Sequence, residues 1–270
     1  MRLDGKRAIV TGGGSGFGAG IARKFAAEGA FVYVVDINLD AAGTIAEEIG
    51  NGDAGGDRTA PPTICGLARA AKGDIDRAWE ALQNAKHPRI HTFIGTSPLH
   101  RAHQLQMDKD QVLRKIEETV GHARSLCENV QWSPMDATRT EADYLIETVK
   151  VAVECGATTI NIPDTVGYAI PDQFGKTIRD LLSTVPNADK AIFSVHCHND
   201  FGLALDNSMR AVFDGPATQV EGCFNGIGER AGNVSIEQCI MYLKAFGKNK
   251  VSNHDYFTDT NTQSIKDISD

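Results

Sequence analysis

"EEIGNGDAGGDRTAPPTICGLARA", residues 47–70, is where this chain changes character. Ahead of it lie two apolar runs of strand length, "RAIVT" (7–11) and "FVYVVD" (31–36), separated by a glycine-rich turn and an amphipathic segment. Behind it the apolar runs carry histidines, asparagines and acidic residues near their ends. Its Gly- and Asp-rich part, Gly50 to Asp57, reads either as a linker between two domains or as one loop inside a single domain.

Counting elements outward from this stretch favours the loop. Strand-length runs fall at 7–11, 31–36, 63–67, 89–95, 128–132, 157–162, 190–196 and 217–222. Helix-period segments fall near 17–28, 39–50, 74–84, 109–126, 140–154, 171–184, 201–213 and 234–245. Eight strands each followed by a helix predict a (β/α)₈ barrel, a fold that typically takes about 250 residues. The expected organisation is one barrel-like domain over 1–248, with a mostly polar tail at 249–270. The runs "AIV" and "FVYVV" are apolar at every position, as a strand buried on both faces should be.

Bulk composition narrows the function. The chain has 270 residues, 41% of them hydrophobic and 23% charged, with a formal net charge of −8. That acidity argues against a surface that tracks nucleic-acid phosphates. No apolar run reaches membrane-spanning length. The six cysteines form no C-x-x-C pair and suit reduced thiols, and nothing at the start resembles a signal peptide. The expectation is a soluble cytoplasmic protein acting on small molecules. Asn233-Val234-Ser235 matches a glycosylation sequon and is discounted on the same ground.

The opening "VTGGGSGFG" follows a strand and begins a helix. Gly12, Gly16 and Gly18 stand where backbone N–H groups can cradle a pyrophosphate. Asp36 ends the next strand, placed to accept from a ribose hydroxyl and to favour NAD over NADP. A tight βα turn without a nucleotide explains the same residues. Over residues 3–50 this pattern resembles the first βαβα of short-chain dehydrogenases/reductases. The family's Tyr-x-x-x-Lys is absent, since Tyr33, Tyr144, Tyr168, Tyr242 and Tyr256 all lack a lysine four residues on. Any NAD binding implied is therefore weak and without hydride transfer.

"FSVHCHND" places His196 and His198 two apart on a predicted strand, so both imidazoles face one side. Two histidines at the C-terminal end of such a strand make a half-site for a divalent metal, or else two buried, backbone-bonded side chains. The next strand leads into "NGIGERAGN", which offers Asn225, Glu229 and Asn233 at the same end.

With "RIHTFIGTSPLHRAHQL", "VQWSPMDATRTEADYL", "GATTINIPDTVGYAIP", "DKAIFSVHCHNDFGLALDNS" and "VEGCFNGIGERAGN", residues 59–248 resemble the 2-isopropylmalate synthase family of leucine biosynthesis. That resemblance implies a metal-dependent barrel joining acetyl-CoA to a 2-oxo acid. It also implies His196, His198 and Asn233 as ligands of Zn, Mn or Mg, and His91, Ser133, Asp136 and Thr165 as the oxo-acid pocket. His91 and Glu229 would take the catalytic roles, and Arg230 would join Glu229 in the acyl-CoA loop. Many members have Glu where this chain has Met135.

The family's Asp-Thr-Thr-Leu-Arg-Asp-Gly-type first strand, which supplies a metal-binding aspartate and an arginine, is missing. The family's further C-terminal subdomains are also expected to lie beyond this sequence. The implied picture is a chimeric barrel, with a dehydrogenase-like quarter (1–52) closing six synthase-like βα units (59–248). It would bind metal weakly and condense little or nothing. The alternative architecture is an open six-unit half-barrel beside a separate βαβα, closed by homo-oligomerisation. Functional alternatives are an NAD-binding module and a non-catalytic recombinant or designed fold.

Overall fold

The computed structural model describes residues 7–11, 13–36, 38–49 and 63–247, with 262 and 265. Gly50 to Asp57, Gly12 and nearly all of the 249–270 tail lie outside the described residues. Eight strands alternate with eight α-helices: β1 (Arg7–Thr11), α1 (Gly16–Ala27), β2 (Phe31–Val35), α2 (Leu39–Glu48), β3 (Ile64–Arg69), α3 (Lys72–Leu82), β4 (Pro88–Gly95), α4 (Lys109–Leu126), β5 (Val130–Met135), α5 (Ala142–Glu154), β6 (Thr159–Asp164), α6 (Pro171–Thr184), β7 (Ile192–Cys197), α7 (Ala204–Phe213), β8 (Gln219–Glu221) and α8 (Ile236–Phe246). The βα rhythm legible in the sequence is thus present, although the sequence reading places β5 to β8 about two residues early.

The chain divides into two compact units, 1–66 with 76–88, and 67–75 with 89–270. In the first, β1 and β2 pair in parallel from Arg7↔Phe31 to Thr11↔Val35. Val10, Ala19, Ala22, Ala30, Val32 and Ile45 form its core, with Ala8, Phe25 and Val34 packed against it. Ile9, on the other face of β1, is 52% exposed, which corrects the expectation of burial on both faces.

The remaining strands form an open, six-stranded parallel sheet in the order β3-β4-β5-β6-β7-β8. This corrects the closed eight-stranded barrel. Among the described residues β1 pairs with β2 and not with β8, and β3 has β4 as its neighbour. Closure requires ladders at both edges. The edge strand β8 has only three residues, and Leu67 of β3 is 64% exposed. The architecture is the open alternative.

Within the second unit the sheet has two chemically distinct faces. Trp132, Ile160, Ile162, Phe193, Val195 and Cys197 are buried, with the apolar sides of α4 to α7 supplying Ile116, Val149, Ile178 and Met209 to the core. The alternate positions are mostly polar: Arg89 and His91, Gln131 and Ser133, Thr159 and Asn161, Ser194 and His196, Gln219 and Glu221.

Pro134 and Pro163 are accommodated where β5 meets β6. Val130 O accepts from Thr158 N, so the even-numbered residues of β5 turn toward β6. The β5–β6 register ends at Trp132↔Ile160, short of Pro134, whose missing N–H is not called on.

Candidate functional site

The site is built on the polar face of β4 to β8, within the second unit. His91 Nε2 lies 2.7 Å from Ser133 Oγ, which also accepts from Asn161 Nδ2 at 3.0 Å. Gln131 Nε2 approaches His91 Nδ1 at 3.2 Å and donates to Glu221 Oε1. Glu221 Oε2 lies 3.1 Å from His196 Nδ1. Arg89 Nη1 reaches the side-chain oxygens of Gln131 and Gln219, at 3.0 Å each. The register explains the clustering, because His91↔Gln131 and His196↔Glu221 are direct cross-strand neighbours.

Burial pushes the His91 imidazole down to about 4, with the charge of Glu221 opposing and those of His196 and Arg89 adding to the fall. His91 is therefore neutral at pH 7. Burial pushes the Glu221 carboxyl up, but the hydrogen bond to His196 and the charges of His91 and His196, with Gln131, outweigh it. Glu221 sits below the ordinary carboxylate range.

His196 and His198 do come together, with ring centroids 5.1 Å apart. His198 also faces Asn233 across an antiparallel bridge, reinforced by Asn199 N donating to Gly232 O at 2.9 Å and Asn233 N to Gly226 O at 2.9 Å. Gly232 makes this approach possible. Its φ is +89°, and a Cβ there would lie 2.0 Å from Gly226 O. Burial, then His196 and Arg230, push the His198 imidazole below its usual value.

The other sequence-predicted residues are placed less simply. Asp136 N donates to Thr165 Oγ1 at 2.9 Å, which joins those two. The buried Asp136 carboxylate is held by Arg139, with Nε–Oδ1 and Nη2–Oδ2 both 2.8 Å. The Glu229 side chain is 82% exposed and lies 3.6 Å from Arg230 Nη1. Arg230 grips Asp200 at 2.7 and 2.9 Å and donates to Thr165 O at 2.8 Å. Residues the sequence reading passed over are Arg89, Gln131, Asn161, Asp200, Gln219 and Glu221. For all but Asp200, which lies in the turn after β7, the signal was a run of polar residues at period two inside otherwise apolar strands.

In the first unit Gly13 and Gly14 of the glycine turn have a packing explanation. A Cβ on Gly13 would lie 2.7 Å from Val34 Cγ1, and one on Gly14 would lie 2.9 Å from the Ala41 Cβ. Gly16 opens α1 with φ +51°, and Gly18 lies within that helix. Both oxygens of Asp36 are taken by backbone, accepting from Gly14 N and Asn38 N at 2.9 Å each.

The sequence pattern of the HMGL-like family matches residues 37–270. The chain belongs to the HMGL-like family. That match runs back through α2 and across 47–62, so family character does not begin at residue 59 as the chimera reading has it. Over 185 residues, 68% of this chain, it is 57% identical to the 2-isopropylmalate synthase of Caulobacter vibrioides, covering 35% of that protein. It is 54% identical over 181 residues to that of Methylococcus capsulatus, again 35% of its length. The chain thus spans about a third of these curated relatives. Hydroxymethylglutaryl-CoA lyase from Pseudomonas aeruginosa shares the fold, with TM-score 0.65 over 99% of this chain and 92% of that one at 16% identity. An HMG-CoA lyase from Acinetobacter baumannii, solved with coenzyme A and 3-methylmalate, gives TM-score 0.61 at 20% identity, over 76% of this chain and 65% of that one.

Enzymes of the HMGL-like and 2-isopropylmalate synthase kind generally use a divalent metal. Among the described residues no group of three or more His, Cys, Asp or Glu is arranged to hold one. With a carboxamide counted, the donors do fit. His198 Nδ1 and Asn233 Oδ1 are both buried without a hydrogen-bond partner. Two imidazoles and an amide oxygen are acceptable ligands for such an ion.

All six cysteines are free. No helix among the described residues is long and apolar enough to cross a membrane.

Proposed function

We propose that this chain carries the condensing site of a 2-isopropylmalate synthase-like enzyme, joining acetyl-CoA to a 2-oxo acid, with much reduced turnover. The observation that carries this reading is the His196–His198–Asn233 group with its two unpartnered polar atoms. Identities of 54–57% to synthases over two thirds of the chain support it.

A Zn, Mn or Mg ion held by these three residues would polarise the carbonyl and carboxylate of the oxo acid. His91 and Ser133 would line that acid's pocket from one side, with Asp136 and Thr165 beyond them. Arg139 neutralises Asp136, so the pocket edge presents hydroxyl and backbone groups to the substrate and not a free carboxylate. His91, neutral at pH 7, and the exposed Glu229 are the proposed proton-moving groups. Arg230, anchored on Asp200 and Thr165, would hold the Glu229 loop over the acyl group.

Reduced turnover follows from the donor set. Three neutral ligands leave a dication without a carboxylate partner, and Glu221 beside His196 is already occupied by His196, Gln131 and Gln219. Assembly into a homo-oligomer belongs to this proposal. NAD has no part in this proposal, and both Asp36 oxygens already accept from backbone N–H groups.

The test is thiol release from acetyl-CoA with 2-oxoisovalerate, run beside a calorimetric titration with Zn, Mn and Mg. Weak metal binding that disappears in His198→Ala, with trace thiol release, is expected. Metal binding indifferent to His196 and His198 would overturn the site. Brisk thiol release would overturn the impairment.

A further inference from the structure

Arg89 is a donor-only group, and it fixes the direction of a chain of hydrogen bonds. Its Nη1 reaches both Gln131 Oε1 and Gln219 Oε1 at 3.0 Å, while its Nε donates to Asn129 Oδ1 at 2.9 Å. Both glutamine amides must therefore turn their oxygens toward Arg89 and their NH₂ groups away from it. The freed NH₂ of Gln131 meets Glu221 Oε1 and His91 Nδ1. That of Gln219 meets Ser194 Oγ at 3.0 Å and Glu221 Oε1 at 3.4 Å.

The consequence is forced at His196, and distance orders the choice at His91. Glu221 accepts on Oε1 from two amides, and its Oε2 accepts from His196 Nδ1 at 3.1 Å. His196 must then carry its proton on Nδ1, which leaves Nε2 as its basic nitrogen. Gln131 Nε2 lies nearer His91 Nδ1 than His91 Nε2, at 3.2 against 3.5 Å, which selects Nδ1 as the acceptor and puts the His91 proton on Nε2, toward Ser133 Oγ. Ser133 Oγ accepts from His91 and from Asn161, which leaves its own hydrogen to be donated elsewhere.

We propose that Arg89, acting through Gln131, Gln219 and Glu221, is the positioning residue that sets His196 as the Nδ1–H tautomer and His91 as the Nε2–H tautomer. The part concerning metal affinity rests on the condensing-site reading, whereas the tautomers do not.

Glu221→Gln is the informative variant, because it matches the shape of glutamate but has one acceptor where glutamate has two. The Gln131 and Gln219 amides claim the new carbonyl, so the new NH₂ faces His196 Nδ1. That nitrogen must then accept, and the proton moves to Nε2. Nitrogen-15 NMR of the metal-free, histidine-labelled chain at pH 8.5 reads these states directly. The expected result is Nδ1–H at His196 and Nε2–H at His91 in the wild type, with His196 switched to Nε2–H in Glu221→Gln. Affinity for Zn, measured separately, should fall about 10- to 100-fold in the variant.

Nε2–H at His196 in the wild type would overturn the inference, and that measurement needs no variant to fold. An unswitched His196 in a folded Glu221→Gln would overturn it too. Arg89→Met, which frees both amides to turn, should give mixed tautomers at both histidines. A single unchanged state there would count against Arg89. Failure of the wild type to bind Zn would instead remove the condensing-site reading and leave the tautomers standing.

Discussion

His198 and Asn233 face each other across an antiparallel backbone bridge, and each keeps one buried polar atom, Nδ1 and Oδ1, without a hydrogen bond. Leaving a buried acceptor unpaired costs about 1–3 kcal/mol. In the proposed site a metal ion would take up both atoms. Asn233→Ala should therefore leave the metal-free protein as stable as the wild type, or slightly more so. The same change should abolish the rise in Tm on adding Zn or Mn. Thermal melts with and without metal check both halves.

The bridge depends on the left-handed backbone of Gly232. Gly232→Ala would drive a Cβ onto the Gly226 carbonyl oxygen and strain a φ of +89°. A loss of about 1–3 kcal/mol is expected in a denaturant titration, together with loss of the metal-induced shift in Tm.

Acid should destabilise the chain through His91. Its folded-state value of about 4 is below the ordinary imidazole value, so as pH falls the unfolded chain takes up this proton first. The stability contributed by neutral His91 is complete above about pH 6.5. It is lost as pH falls from there toward about 4, at no more than about 1.4 kcal/mol per pH unit. Glu221, held below its ordinary value, works in the same direction at the acid end. His91→Gln should flatten the pH dependence between 6.5 and 4, as read from melting curves across that interval.

Arg230 and Asp200 form an exposed pair whose value lies in holding the 224–233 loop and not in global stability. Arg230→Ala should leave Tm unchanged within error. Hydrogen exchange of the backbone amides from Asn225 to Gly232 should speed up. Unchanged exchange would show that the bridge at Asn233 holds the loop alone.

Trp132 is fully buried on the core face of β5, one residue from Ser133 and Gln131 on the polar face. Trp132→Ala should cost about 3–5 kcal/mol. It should also broaden the NMR signals of His91, because the strand that positions Ser133 and Gln131 loses its anchor.

The sequence determined the elements. Its spacing of apolar residues gave eight strands and eight helices in the right order, because period two and period 3.6 are local properties of the chain. It also placed His196 and His198 at the end of one strand, with Asn233 in the loop after the next, and put His91 and Ser133 on adjacent strands.

Tertiary structure alone decided closure and polarity. "AIV" reads the same whether one face or both are buried, and only the pairing of strands shows that β1 and β2 form a ladder of their own, separate from the open six-stranded sheet. Likewise no spacing in the chain links Arg89 to Gln219, 130 residues away, or Gln131 to Glu221. Those contacts arise from the register of neighbouring strands and from the convergence of their polar face. They set which nitrogen of each histidine carries a proton, a property that belongs to the assembled network and to no residue by itself.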